Sequence, residues 1–386
     1  MTTQEIQPFE IHIPEEDLED LHKRLDAARW PDEFPAHDWG RGVPLEYMKD
    51  LAGYWRGSYD WRAQEARLNG FPQFTTEIDG QVIHFLHVRS PEPDALPLII
   101  THGYPGSIAE FMNIIGPLTD PRAYGADPAD AFHVVAPSLP GFGFSTPLHG
   151  AGWEVGRTAR AWVELMSRLG YERYGAQGGD VGAGVAGDLG KIDTDHVLGV
   201  HVNTDADAAA TFANPEVVAA LSDEDRATVQ RMQEIWEDRK GYIAIQSTRP
   251  QTIAYSLTDS PVGQLAWIVE KFHEWTDPAA QRPQDAVDLD QLLTNVSIYW
   301  FTKSGASAAN FLWEAFHAVR DWGAPGLAPV GWAAFGGETV TRKLVDPEGK
   351  IKHWTDYPRG RHFAAMEAPE LLVADIRRFF SGLRLK

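Results

Sequence analysis

Residues 177–182 read Gln177-Gly178-Gly179-Asp180-Val181-Gly182. An apolar run precedes them and a helix-forming run follows, so a strand ends, turns sharply and becomes a helix. Small residues two places on either side of a central side chain are what a strained strand–turn–helix elbow requires, and such an elbow lifts that side chain above the sheet edge. Here it is a carboxylate. Asp180 in this position would attack carbon and form an ester, which suits a strained ring or a good leaving group on an sp³ centre. An aspartate that merely caps the helix has the same local sequence.

Other residues at suitable spacing complete such a reaction. His102-Gly103-Tyr104-Pro105-Gly106 follows a short apolar run, and the backbone N–H groups of Tyr104 and Val181 would form an oxyanion hole. His362, in Arg359-Gly360-Arg361-His362-Phe363, lies after the last predicted strand and before the last helix, where a general base would belong. Its orienting acid has four candidates: Glu338, Asp346, Glu348 and Asp356. Glu338 is favoured because it follows a predicted strand by a few residues; Asp356, six residues before His362, is the alternative. Asp346-Pro347-Glu348-Gly349 reads as a surface turn.

The elements that must hold these residues alternate. A hairpin is expected over 75–78 and 81–88 around Asp79-Gly80. Strands are expected at 97–101, 132–136, 174–178 and 197–202, with helices at 109–118, 158–169 and 182–189. That rhythm predicts a doubly wound, mostly parallel sheet. Residues 204–322 break it: they are helical and Trp-rich, and are expected to fold over the sheet as a lid. Strands return near 328–335 and 351–354, and a helix at 370–383 closes the chain. Before the sheet, residues 1–75 form a helical extension. Its apolar stripe Leu18, Leu21, Leu25 and Ala28 starts after Pro14, and aromatic residues crowd 45–68. The expected divisions are therefore 1–75, 76–203, 204–322 and 323–386.

Composition narrows the partners. The chain has 386 residues, 43% of them hydrophobic, enough for a full core. Its net charge of −21 argues against nucleic acid and anionic membranes. With no cysteine there is no thiolate nucleophile, disulfide or zinc–thiolate centre, and a reducing, cytoplasmic setting fits. No run reaches the ~18 apolar residues of a membrane span. No metal or organic cofactor is expected, and a homodimer is left open.

The motifs together resemble the microsomal-type epoxide hydrolases. The resemblance rests on LHKRLDAARWP (21–31), YDWRAQEARLNGFPQF (59–74), HGYPGS (102–107), PSLPGFGFS (137–145), YGAQGGDVG (174–182), GYIAIQSTRP (241–250), DSPVGQLAWIVEKF (259–272) and RHFAAMEAPELL (361–372). It implies an α/β-hydrolase fold with an N-terminal epoxide-hydrolase extension, and a soluble form, because the family's membrane-anchoring helix has no counterpart. It implies Asp180 as nucleophile, His362 as base, Glu338 as acid after Gly331-Trp332-Ala333-Ala334-Phe335, and Tyr242 as the lid acid that protonates the epoxide oxygen. The family's second lid tyrosine falls on Leu312, so either one tyrosine suffices or Tyr299 or Tyr255 replaces it. Trp153, Tyr299 and Leu312 are candidate pocket residues. The family's Trp after the nucleophile is Val181 here, which removes the indole that a haloalkane dehalogenase uses to bind halide. A dehalogenase, or a ligand-binding protein on the same fold, are the alternatives to an enzyme turning a bulky or aromatic epoxide into a diol in detoxification or biosynthesis.

Overall fold

The computed structural model describes residues 5–32, 35, 38–319, 326, 328–337 and 340–384. Its centre is a nine-stranded sheet of β1 (Gln7–Phe9), β2 (Gln73–Ile78), β3 (Gln81–Val88), β4 (Leu96–Thr101), β5 (Phe132–Pro137), β6 (Tyr174–Gly179), β7 (Val197–Asp205), β8 (Val330–Phe335) and β9 (His353–Tyr357). The order is β1-β2-β3-β5-β4-β6-β7-β8-β9. Pairs from β1 through β3 to β5 are antiparallel, and all others are parallel. The expected sheet is thus present, and the Asp79-Gly80 turn closes the β2–β3 hairpin with both residues at positive φ.

Side chains along the strands alternate between two cores, as strand geometry requires. Ile99, Val135, Val200 and Val202 pack with Trp162, Leu165, Val185 and Leu189 from the helices Val155–Arg168 and Val181–Ile192. Leu98, Ile100, Val134 and Ala136 pack with Ile376, Phe379 and Phe380 of the closing helix Pro369–Arg384. Under that helix, His201 Nε2 and His353 Nε2 both reach Asp375 Oδ1, at 2.9 and 2.8 Å, and the Tyr357 hydroxyl donates to Oδ2 at 2.8 Å.

Two expectations need correction, those on the extension and on the helix over 109–118, and the stretch 45–68 gains definition. The extension before the sheet is not purely helical, because β1 pairs with β2 and adds an edge strand. The stretch 45–68 is two helices, Leu45–Gly57 and Trp61–Asn69; Asp60 starts the second by accepting from Ala63 N–H. The helix expected over 109–118 is a 3₁₀ turn, Ile108–Asn113, then a short helix, Ile115–Thr119. Pro117 is compatible only with a helix's first turn, so the helix must restart there.

The lid runs through helices from Ala206 to His317. The N-terminal arm is bonded to it. Tyr47, Tyr54 and Trp55 donate to Gln284, Asp290 and Ser297, at 2.6, 2.9 and 3.0 Å, and Arg24 donates to the Asp259 carbonyl at 2.8 Å. The aromatic crowding of 45–68 is therefore packing.

Candidate active site

Asp180 has φ 53° and ψ −127°, a conformation that a non-glycine residue holds only under constraint. The constraint is close backbone approach. A Cβ on Gly178 would lie 2.2 Å from the Gly182 carbonyl oxygen, and one on Gly182 would lie 1.9 Å from that of Thr101. The elbow reading of 177–182 thus has its physical basis. The Asp180 side chain makes no capping bond to its own helix. Its Oδ1 instead accepts from Tyr104 N–H at 2.7 Å. Val181 begins the helix behind it, whose positive end faces the carboxylate.

His362 lies on the other side. Its Nε2 is 3.6 Å from Asp180 Oδ2, and its Nδ1 is 3.3 Å from Asp205 Oδ2. Burial works against a charged imidazole here. The hydrogen bond that His362 donates to Asp205 and the charges of Asp180, Asp205 and Glu110 outweigh it and lift His362 to about 9. The loop bearing His362 is held by Glu367, which accepts from the N–H groups of Arg361 and Phe363 at 3.2 and 3.1 Å and from that of Asp277 at 2.9 Å. His362 N–H itself donates to the Trp275 carbonyl at 3.2 Å.

Among the described residues, the carboxylate paired with His362 Nδ1 is Asp205, at the end of β7. The favoured sequence candidate, Glu338, lies outside the described residues. Asp356 accepts from Trp354 Nε1 at 2.9 Å on an exposed edge, and Asp346 accepts from the N–H groups of Lys350 and Ile351. Glu348 is paired with Lys350. Chain order pointed past β8, to Glu338, and did not consider Asp205. The available signal was a carboxylate ending the strand next to the nucleophile's own.

A small cavity opens beside Asp180 and His362, lined also by Thr101, Glu110, Gln177 and Asn203. Burial raises the Glu110 carboxyl to about 8, with Asp180 adding to the rise and His362 opposing it. Sequence reading missed Glu110, because a continuous helix over 109–118 would give it no special place.

From the lid, the Tyr242 ring lies parallel to that of Tyr104, 6.0 Å between centroids, and 5.1 Å from that of Trp275. Lys271 Nζ sits 4.7 Å from the Tyr242 ring centroid. Burial raises the Tyr242 hydroxyl well above its ordinary value, and the Asp180 charge adds to this, so the phenol keeps its proton at neutral pH. The other tyrosines are placed differently. Tyr299 donates to the Gly106 carbonyl at 2.9 Å, and Tyr255 is 69% exposed. Leu312 is buried in the core. Trp153 is fully buried, its indole donating to the His149 carbonyl at 3.2 Å under the Arg157 guanidinium. None of Trp153, Tyr299 and Leu312 lines the cavity beside Asp180.

The whole chain has known counterparts. The family model for the epoxide hydrolase N terminus matches residues 6–111, and that for the alpha/beta hydrolase fold matches residues 97–256. A Stigmatella aurantiaca (strain DW4/3-1) protein assigned to the epoxide hydrolases is 44% identical over 99% of this chain and 86% of its own length. Epoxide hydrolase 1 of Oryctolagus cuniculus is 35% identical over 97% of this chain and 88% of its own. The solved structure of Aspergillus niger epoxide hydrolase superposes with a TM-score of 0.85 at 32% identity, covering 99% of this chain and 97% of that one.

Proposed function

Because the chain belongs to the epoxide hydrolase family, we propose that it converts an epoxide and water to a vicinal diol through an ester on Asp180. The observation that carries this mechanism is the carboxylate held between the Tyr104 N–H and the His362 imidazole.

In the first step Asp180 attacks an epoxide carbon and the C–O bond breaks. The leaving oxygen is an alkoxide unless it is protonated, and Tyr242 supplies that proton from the lid. Ester formation removes the Asp180 charge, one of those that hold His362 protonated. The imidazole can then lose its proton, which returns to the Tyr242 phenolate. In the second step water attacks the ester carbonyl carbon and gives a proton to His362 Nε2. The oxyanion on Oδ1 is met by the N–H groups of Tyr104 and Val181; one such donor contributes about 3 kcal/mol to the barrier. Collapse breaks the C–O bond to the diol, which takes its proton from His362. The carboxylic acid left on Asp180 releases a proton that restores the imidazolium.

We assign the orienting acid to Asp205, on its pairing with His362 Nδ1. Asp205→Asn and Glu338→Gln decide between the two: the variant in which ester hydrolysis slows identifies the acid. The rings of Tyr104, Tyr242 and Trp275 near the nucleophile favour a flat or aromatic epoxide. No helix of the described residues is long and apolar enough to cross a membrane. The lack of cysteine supports a cytoplasmic setting, which imaging of the tagged protein would check.

The test is one turnover of styrene oxide by excess enzyme in ¹⁸O-water. Unlabelled diol with label on the Asp180 peptide is expected. Labelled diol with an unlabelled peptide would mean direct attack by water.

A further inference from the structure

We infer that the cavity beside Asp180 seats the water that hydrolyses the ester, and that Glu110 and Gln177 hold that water in place. The inference rests on the ester mechanism above. The cavity measures ≈ 20 Å³, room for one or two water molecules. No lid residue lines it: its walls are Thr101, Gly103, Glu110, Phe111, Gln177 and their neighbours on the sheet side. It therefore lies away from Tyr242, and a substrate entering under the lid need not displace its contents.

Its polar groups match what one attacking water requires. Gln177 is 2% exposed and donates through Nε2 to Asn203 Oδ1 at 2.7 Å. Its Oε1 has no partner among the described residues. A buried acceptor left so is costly, and a water's O–H would offset that cost. Glu110 comes from the 3₁₀ turn and reaches into space that only a glycine at 106 leaves open. A Cβ on Gly106 would lie 1.4 Å from Glu110 Oε1. Burial favours the protonated Glu110 carboxyl, which can donate to a water oxygen. One water can then give its two O–H groups to Gln177 Oε1 and His362 Nε2 and accept from Glu110. Its remaining lone pair is left for the Asp180 carbonyl carbon.

The test is rapid-quench single turnover of styrene oxide, timing ester formation and ester hydrolysis separately. Displacing a reacting atom by about 1 Å costs on the order of 100-fold, so Glu110→Ala and Gln177→Met should slow hydrolysis about 10- to 100-fold. Alkylation should stay within about twofold by the same reasoning. In the steady state kcat and KM fall together and kcat/KM is preserved, a split that general loss of structure does not produce. Glu110→Gln keeps a donor and should recover most of the hydrolysis rate. Gly106→Ala should reproduce the defect by expelling the Glu110 carboxyl, yet add little in the Glu110→Ala background. Hydrolysis unchanged in both Glu110→Ala and Gln177→Met, or both steps falling in parallel, would overturn the inference. A parent enzyme that never forms the ester would overturn the ester mechanism itself, and that result is read before any variant is made.

Discussion

At the carboxyl end of β7, Asp205 meets His362; four residues earlier on the same strand, His201 meets Asp375. Both are pairs of imidazole and carboxylate, the second fully buried and the first partly so, yet they behave in opposite ways. Burial lowers His201 despite its bond to Asp375, whereas His362 is lifted to about 9. The difference is one of ratio. Around His362, one imidazole faces the carboxylates of Asp180 and Asp205, so a proton is retained. Around Asp375, one carboxylate is shared by two imidazoles and a phenol, with the Arg378 guanidinium 3.6 Å away, so its oxygens are saturated by donors. Burial would raise Asp375, but the hydrogen bonds from His201 and His353 hold it well below the usual carboxylate range. The first cluster opens on a cavity and can change its protonation; the second is closed and fastens a helix to the sheet.

The sharpest test of this contrast exchanges each histidine for glutamine. His362→Gln should lower steady-state turnover about 10⁴-fold or more while still forming the alkyl-enzyme, which mass spectrometry would find trapped. His201→Gln should leave turnover within about threefold, because it touches no reacting group. Equal losses in the two would break the comparison. The carboxylates come next. Asp205→Asn should slow ester hydrolysis about 10²- to 10⁴-fold with little change in melting temperature. Asp375→Asn leaves buried donors poorly matched and should cost on the order of 3 kcal/mol of stability, read by denaturant unfolding. The smallest effect is a titration. In Asp180→Asn the anion beside His362 is gone, so the imidazolium is less favoured and its pKa should fall from about 9 by roughly one unit, measured by NMR. A His362 that still titrates near 9 in that variant would assign its charge to Asp205 and Glu110 alone.

What the sequence disclosed follows how local each requirement is. The elbow was legible because its demand for small residues falls two places from Asp180, within one turn of chain. The β2–β3 hairpin was legible for the same reason, since Asp79-Gly80 defines it. His362 could be found from chain order. Asp205 was marked only by its place at the end of the strand beside the nucleophile's own; its proximity to His362 arises from parallel neighbours β7 and β8 meeting the loop after β9, a relation that no spacing encodes. β1 is three residues long and too short to show a period. Glu110 was hidden by a regular pattern that Pro117 interrupts. Tyr242 was singled out only through resemblance; its stacking on Tyr104 depends on how the lid comes down.

The arm's bonds to the lid have a bearing on how the chain is made. Tyr54 and Trp55 find Asp290 and Ser297 more than 230 residues later. On the ribosome, the first helices must wait until some 236 to 242 further residues have emerged before their aromatic face has a surface to close upon. At about 5–20 residues per second, that exposure lasts on the order of tens of seconds. Closure of the arm is a step that nascent chains ending before Asp290 cannot complete.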